Sequence, residues 1–280
     1  MKTILVPTDF SDAATNAAEY AVNLAKEINA KILLLHVYHV PVPITESPII
    51  VLTDEEMQKD NERTLKKLAS HLKGHSKVEI TYKAVMGMAV EEIAEEEKNA
   101  TLIVMGMKGA GKLSEIVLGS IATATLRKAK IPTLIIPEHT KFRVPKRIVF
   151  ACDYSAKTDY NTIEPLKELV KKFDSKLFVL NVKSNKDAIS ADEAGAGLRL
   201  ENKLNETNHI YHCSENENLI DGINEFVKEK KAEMIVTIPH RHKLLERLFH
   251  KSISKEIAFH THVPLLTLPD NHQSMPAYFL

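Results

Sequence analysis

One segment of this chain occurs twice. Ile4-Leu5-Val6-Pro7-Thr8-Asp9-Phe10-Ser11 returns as Ile148-Val149-Phe150-Ala151-Cys152-Asp153-Tyr154-Ser155: an apolar run, then an acid, an aromatic and a hydroxyl. The echo continues downstream. Residues 177–182 repeat the character of 32–37, Met234-Ile235-Val236 repeats Leu102-Ile103-Val104, and Ser252 precedes Pro264 by the same interval that separates Ser120 from Pro132. Self-similarity on this scale means one folding unit used twice. At 280 residues the chain is long enough for two domains with a core each.

Within a unit, short β-branched and aliphatic runs alternate with longer stretches of helical period, the pattern of a parallel sheet covered by helices. In the first unit, strands are expected at 3–8, 31–38, 77–85, 101–105 and 132–136. Between them lie four helices. Ser11 caps the first, whose apolar stripe is Ala14, Ala18, Val22 and Ala25. After a loop broken by Pro41, Pro43 and Pro48, the second covers 54–71; Gly87 turns the chain into the third at 90–98, and the fourth covers 120–128. Residues 138–145 are polar, lack an apolar period and end in proline, which places the domains at 1–139 and 145–270 and leaves 271–280 as a tail.

Composition narrows the function. The 37 basic and 37 acidic side chains cancel, so no overall field draws nucleic acid or an anionic membrane, and neither is an expected partner. No apolar stretch approaches the roughly 20 residues that span a bilayer. The start, Met1-Lys2-Thr3-Ile4-Leu5-Val6-Pro7, does not read as a signal peptide. Cys152 and Cys213 are too few for a disulfide framework and fit a reducing compartment. The cytoplasm is the expected location.

The chemistry concentrates behind the fourth strand of the first unit. Gly106-Met107-Lys108-Gly109 follows that strand directly, and after nine more residues Gly119-Ser120 opens a helix. Glycine lets a backbone approach an anion without a Cβ in the way, and free N–H groups at a helix start favour negative charge. Ser120 adds a hydroxyl. Asp9, Val37 and Gly106 all fall at the carboxyl ends of expected strands, where a doubly wound sheet forms its ligand crevice.

The spacing of Gly106, Gly109 and Gly119-Ser120, with the opening Val6-Pro7-Thr8-Asp9-Phe10-Ser11, resembles the nucleotide motif of the universal stress protein family. The resemblance covers the first half throughout and the second in outline. It implies two α/β domains, each a five-stranded parallel sheet of order 3-2-1-4-5 with flanking helices. It also implies an ATP-type adenine nucleotide, with room for Mg²⁺, in the first half. On this resemblance Pro7, Thr8 and Asp9 line the adenosine pocket, with Asp9 near the ribose or adenine edge. Val37 packs on the base, and Met105 and Gly106 close the other side. Lys108 and Gly109 approach the phosphates, while Gly119, Ser120, Ile121 and Ala122 present helix amides to them. The family also pairs domains through the last strand, which implies that the edge near 133–136 meets the edge near 265–268 within the chain; a homodimer is compatible with it, and the protein partners are unnamed.

Other readings of the same residues stand beside this one. Asp9 alone is an ordinary turn residue beside a helix start. Gly106 to Lys112 imitates a P-loop, but Leu113 stands where that motif needs a hydroxyl for Mg²⁺. His240, His242, His250, His260 and His262 crowd one region without the paired spacing of a metal site. Cys152 suits a small core position.

The second half departs from the motif. With Ser252 aligned to Ser120, Gly106, Gly109 and Gly119 fall opposite Ile238, Arg241 and Lys251. Asp153 and Ser252 remain. A regulatory module with one competent site follows. A slow ATP hydrolase or nucleotidyl transferase is the enzymatic alternative, and a scaffold with a vestigial site is the third, best suited to the second half.

Overall fold

β1 (Lys2–Pro7) shows why the chain folds as it does: its four central residues are buried, so it must lie inside a sheet covered on both faces. The computed structural model describes residues 2–39, 54–74, 76–107, 120–154, 160–183, 191–238 and 263–269. The first half continues with α1 (Asp12–Ile28), β2 (Ala30–Tyr38), α2 (Asp54–Lys73), β3 (Ile80–Met86), α3 (Ala89–Glu96), β4 (Leu102–Met107), α4 (Ser120–Lys128) and β5 (Thr133–Pro137). The second contains β6 (Arg147–Ala151), α5 (Glu164–Phe173), β7 (Lys176–Lys183), α6 (Ala191–Leu204), β8 (His209–Glu215), α7 (Leu219–Lys230), β9 (Met234–Thr237) and β10 (Leu265–Thr267).

All ten strands form one sheet in the order β3-β2-β1-β4-β5-β10-β9-β6-β7-β8. Each half therefore has the order 3-2-1-4-5. The seam is antiparallel, with Leu265 opposite Ile135, Leu266 opposite Leu134 and Thr267 opposite Thr133, while pairing within each half is parallel. The expected meeting of the two last strands is what the chain does, and it covers two edges that would otherwise present unpaired backbone groups.

Side chains alternate between two cores. On one face Ile4, Val6 and Leu34 pack with Ala17, Ala21 and Leu65 of α1 and α2, continuing into Phe150 and Leu166. On the other, Leu5, Leu35 and Ile103 pack with Ile93 and Leu126 of α3 and α4, continuing into Val149 and Ile223. Expected boundaries move by one to three residues, and two of the shifts have a visible cause. β3 begins at Ile80, where pairing with Ile32 begins, because Ser76 holds the Val78 amide in a turn just before it. The third helix ends at Glu96 and tightens into a 3-10 turn over Glu97–Asn99. There the Glu97 carboxylate accepts the Lys130 amide; burial raises that carboxyl's pKa above the ordinary glutamate value.

The linker is built into the structure. Asn16 of α1 donates to the Pro137 and Thr140 carbonyls, both at 3.2 Å, and Phe142 meets Tyr20 edge-on with ring centroids 5.1 Å apart. Glu233 accepts the Lys146 and Arg147 amides at 2.7 and 2.9 Å. Beneath Phe142 lies a small apolar void bordered by Tyr20, Leu102, Met234 and Leu266.

Candidate functional site

The site starts from the chain leaving β1. Pro7 is the last residue of the strand, opposite Leu35, and the Thr8 amide still reaches the Leu35 carbonyl at 2.8 Å. The chain then turns. Thr8 Oγ1 accepts the Phe10 amide at 3.1 Å, and Asp9 Oδ1 accepts the Ser11 amide at 3.0 Å. Ser11 Oγ in turn accepts the Ala14 amide at 3.2 Å, capping α1 as expected. Phe10 has φ 64, the left-handed region a bulky residue seldom occupies. The result leaves the Asp9 side chain exposed beyond the strand ends.

His36 completes this turn, and sequence reasoning passed over it. Its Nδ1 lies 2.8 Å from the Thr8 carbonyl, and because a carbonyl only accepts, Nδ1 carries the proton. Its ring lies 4.4 Å from that of Phe10. Desolvation opposes ionisation of Asp9, but hydrogen bonds from the Ser11 side chain and backbone and the charge of His36 outweigh it, so the carboxyl is held below its ordinary pKa. The only signal in the sequence was position: His36 immediately precedes Val37.

Between β1 and β4 the strand order reverses, the place where a doubly wound sheet opens its crevice. Gly106 stands on β4 opposite Ile136, and Met107 stands opposite Pro137. A Cβ on Gly106 would come 2.3 Å from the Ala13 carbonyl oxygen and 2.9 Å from the Ala14 nitrogen. This glycine is therefore required by the packing of α1, whatever else it does. Met105 is buried with Ala122 and Ile135 on the opposite core face, against which Val37 is partly buried. Ser120 and Ile121 are exposed at the start of α4, and Ala122 faces inward. Lys108, Gly109 and Gly119 lie outside the described residues, as do the imitation P-loop from Lys108 onward, the five clustered histidines, Arg241, Lys251, Ser252 and the 271–280 tail.

The second half repeats the turn with other side chains. The Cys152 amide reaches the Leu180 carbonyl at 3.0 Å, Asn181 Nδ2 donates to the Cys152 carbonyl at 3.0 Å, and Tyr154 has φ 47. Asp153 is exposed where Asp9 is. The strand ends differ. Ile148 and Val149 register with Met234 and Ile235 just as Ile4 and Leu5 do with Leu102 and Ile103, which puts Ile238 at the position of Gly106. Ile238 is buried in the core cluster that also holds Tyr160 and Ile163. Those two belong to a 3-10 turn, Tyr160–Ile163, and α5 starts only after it; α5 has 10 residues where α1 has 17. Burial pushes the Cys152 thiol up to about 12, which leaves it protonated at neutral pH and a poor nucleophile. Among the described residues no three His, Cys, Asp or Glu side chains gather to hold a metal. No described helix is long and apolar enough to cross a membrane.

Known proteins match both halves. The model of the universal stress protein family matches residues 1–137 and 145–269. Universal stress protein MJ0531 of Methanocaldococcus jannaschii is 33% identical over 144 residues, 50% of this chain and 84% of its own length. A universal stress protein structure from Archaeoglobus fulgidus superposes with a TM-score of 0.72 at 21% identity, covering 96% of this chain and 98% of that one. A structure described as a universal stress protein in complex with cAMP is 29% identical, with a TM-score of 0.36, and covers 48% of this chain and 96% of its own. With two matched units and the order 3-2-1-4-5 in each, this chain belongs to the universal stress protein family and carries two of its domains in tandem.

Proposed function

We propose that the first half binds one adenine nucleotide of the ATP type and that the chain is a regulatory module of the stress response. The observation that carries this reading is the Asp9 carboxylate, exposed beyond the strand ends at the point where strand order reverses. A carboxylate there accepts hydrogen bonds from ribose hydroxyls or an exocyclic amine. In this reading Pro7, Thr8 and Asp9 border the adenosine, Val37 and Met105 flank the base, and Gly106, Lys108 and Gly109 lie along the phosphates. Gly119, Ser120, Ile121 and Ala122 supply the start of α4, whose amide dipoles favour an anion. Mg²⁺ would accompany the phosphates, with no ligand assigned to it in the protein. The reading assigns no catalytic residue.

The second half serves as a structural partner. Buried Ile238 replaces Gly106, and the half contributes β10 to the seam. Domain limits of 1–139 and 145–270, a cytoplasmic location, a homodimer and further protein partners belong to the same proposal. The test is to denature the purified chain and identify any released nucleotide by mass, then follow added ATP over time. Bound ATP without turnover supports the module, steady product release supports a slow hydrolase, and no binding at saturating nucleotide supports a scaffold.

A further inference from the structure

His36 has no role in the reading above, yet it touches the turn that carries Asp9 in two ways. Nδ1 donates to the Thr8 carbonyl at 2.8 Å, and the ring covers Phe10 at 4.4 Å with an interplanar angle of 38°. Phe10 needs such support. A bulky residue holds a left-handed φ of 64 only where its surroundings impose it, and the amides that shape the loop, those of Phe10 and Ser11, bond within the same turn.

The second half is an internal control. There Asn181 occupies the place of His36, following Leu180 as His36 follows Leu35, and its Nδ2 donates to the Cys152 carbonyl at 3.0 Å. Tyr154 keeps the left-handed backbone, with φ 47. Its ring pairs instead with that of Tyr211, at 6.4 Å. The donor to the turn carbonyl is thus common to both halves, while the ring packed on the turn aromatic comes from the donor residue itself in the first half and from Tyr211 in the second.

We infer that His36 is a positioning residue of the nucleotide crevice: through its Nδ1 donor it holds the left-handed turn that presents Asp9. It acts through the turn that carries Asp9. The binding part of this inference rests on the nucleotide reading; the positioning part does not.

Two variants of the full chain test it, His36→Leu, which removes the donor, and His36→Asn, which supplies the donor found in the second half. Amide exchange of ligand-free protein over 8–14 reads the turn, and exchange over 152–154 reads its duplicate. His36→Leu should speed exchange over 8–14 by about tenfold or more, leave 152–154 unchanged, and weaken adenosine binding by about tenfold, the scale of one lost, partly buried hydrogen bond. His36→Asn should return both measurements to within about threefold of the unaltered chain. Unchanged exchange in His36→Leu, or equal damage in both variants, would overturn the positioning role. Faster exchange with unaltered adenosine affinity would overturn its link to binding. If the unaltered chain binds no adenine nucleotide, the nucleotide reading falls, and the exchange comparison still decides what His36 does for the turn.

Discussion

The Ala13 carbonyl oxygen lies 2.3 Å from where a Cβ on Gly106 would sit, so the first turn of α1 rests on the bare backbone at the end of β4. Two features of the motif thereby become one piece of architecture. The helix that follows Asp9 can start immediately only because β4 has no side chain beneath it.

Gly106→Ala should therefore damage the fold as well as any binding. Neither partner is the flexible end of a side chain, so the clash forces backbone movement, costing about 2–4 kcal/mol. Urea unfolding monitored by circular dichroism measures it. Gly109→Val should behave oppositely, with stability changed by no more than about 0.5 kcal/mol and ATP affinity reduced severalfold or more. Equal loss of stability in the two would show that their roles are not separate.

Ile238→Gly should not convert the second half into an ATP site. The side chain is buried, and its loss leaves a cavity and a looser backbone worth about 3–4 kcal/mol. The 3-10 turn at Tyr160–Ile163 already departs from the course of α1. Thermal unfolding should show a lower midpoint, and ATP stoichiometry should stay at that of the unaltered chain.

Much of this was legible before any coordinates. The repeated strand-Asp-aromatic-Ser run announced the duplication, and apolar periodicity located the strands and helices, because both signals are local. The edge-to-edge seam of β5 and β10 followed from the family resemblance. What stayed hidden depends on residues far apart in the chain. The reason for Gly106 is a helix turn more than ninety residues earlier, and the role of His36 needs β2 laid against the end of β1. Phe142 read as part of a polar linker, yet it packs on Tyr20 between the halves.

Phe142→Ala should consequently weaken the junction. Removing a half-buried aromatic next to an existing void should cost about 2–3 kcal/mol, less than a fully buried ring. If β5 and β10 keep the halves in one cooperative unit, unfolding remains a single transition that moves down. Two separated transitions would show that the linker packing, and not the seam, holds the halves together.

Asp9 gives a pH signature. Its folded pKa is depressed below the ordinary 3.8, so its ionised form adds stability that is complete above that value and is lost as pH falls through the lower folded one. Nucleotide binding that depends on the carboxylate should share this acid limb. Asp9→Asn should flatten the limb and weaken adenosine and ATP alike. Loss of ATP binding alone would place Asp9 beside the phosphates.

The central claim is one adenine nucleotide per chain, held by the first half, and calorimetric titration of the intact protein with ATP measures it most directly when run beside Asp9→Ala and Asp153→Ala. The account predicts a stoichiometry of one, lost or severely weakened in Asp9→Ala and unchanged in Asp153→Ala. Two equivalent sites, or a single site that disappears with Asp153 and survives without Asp9, would contradict it.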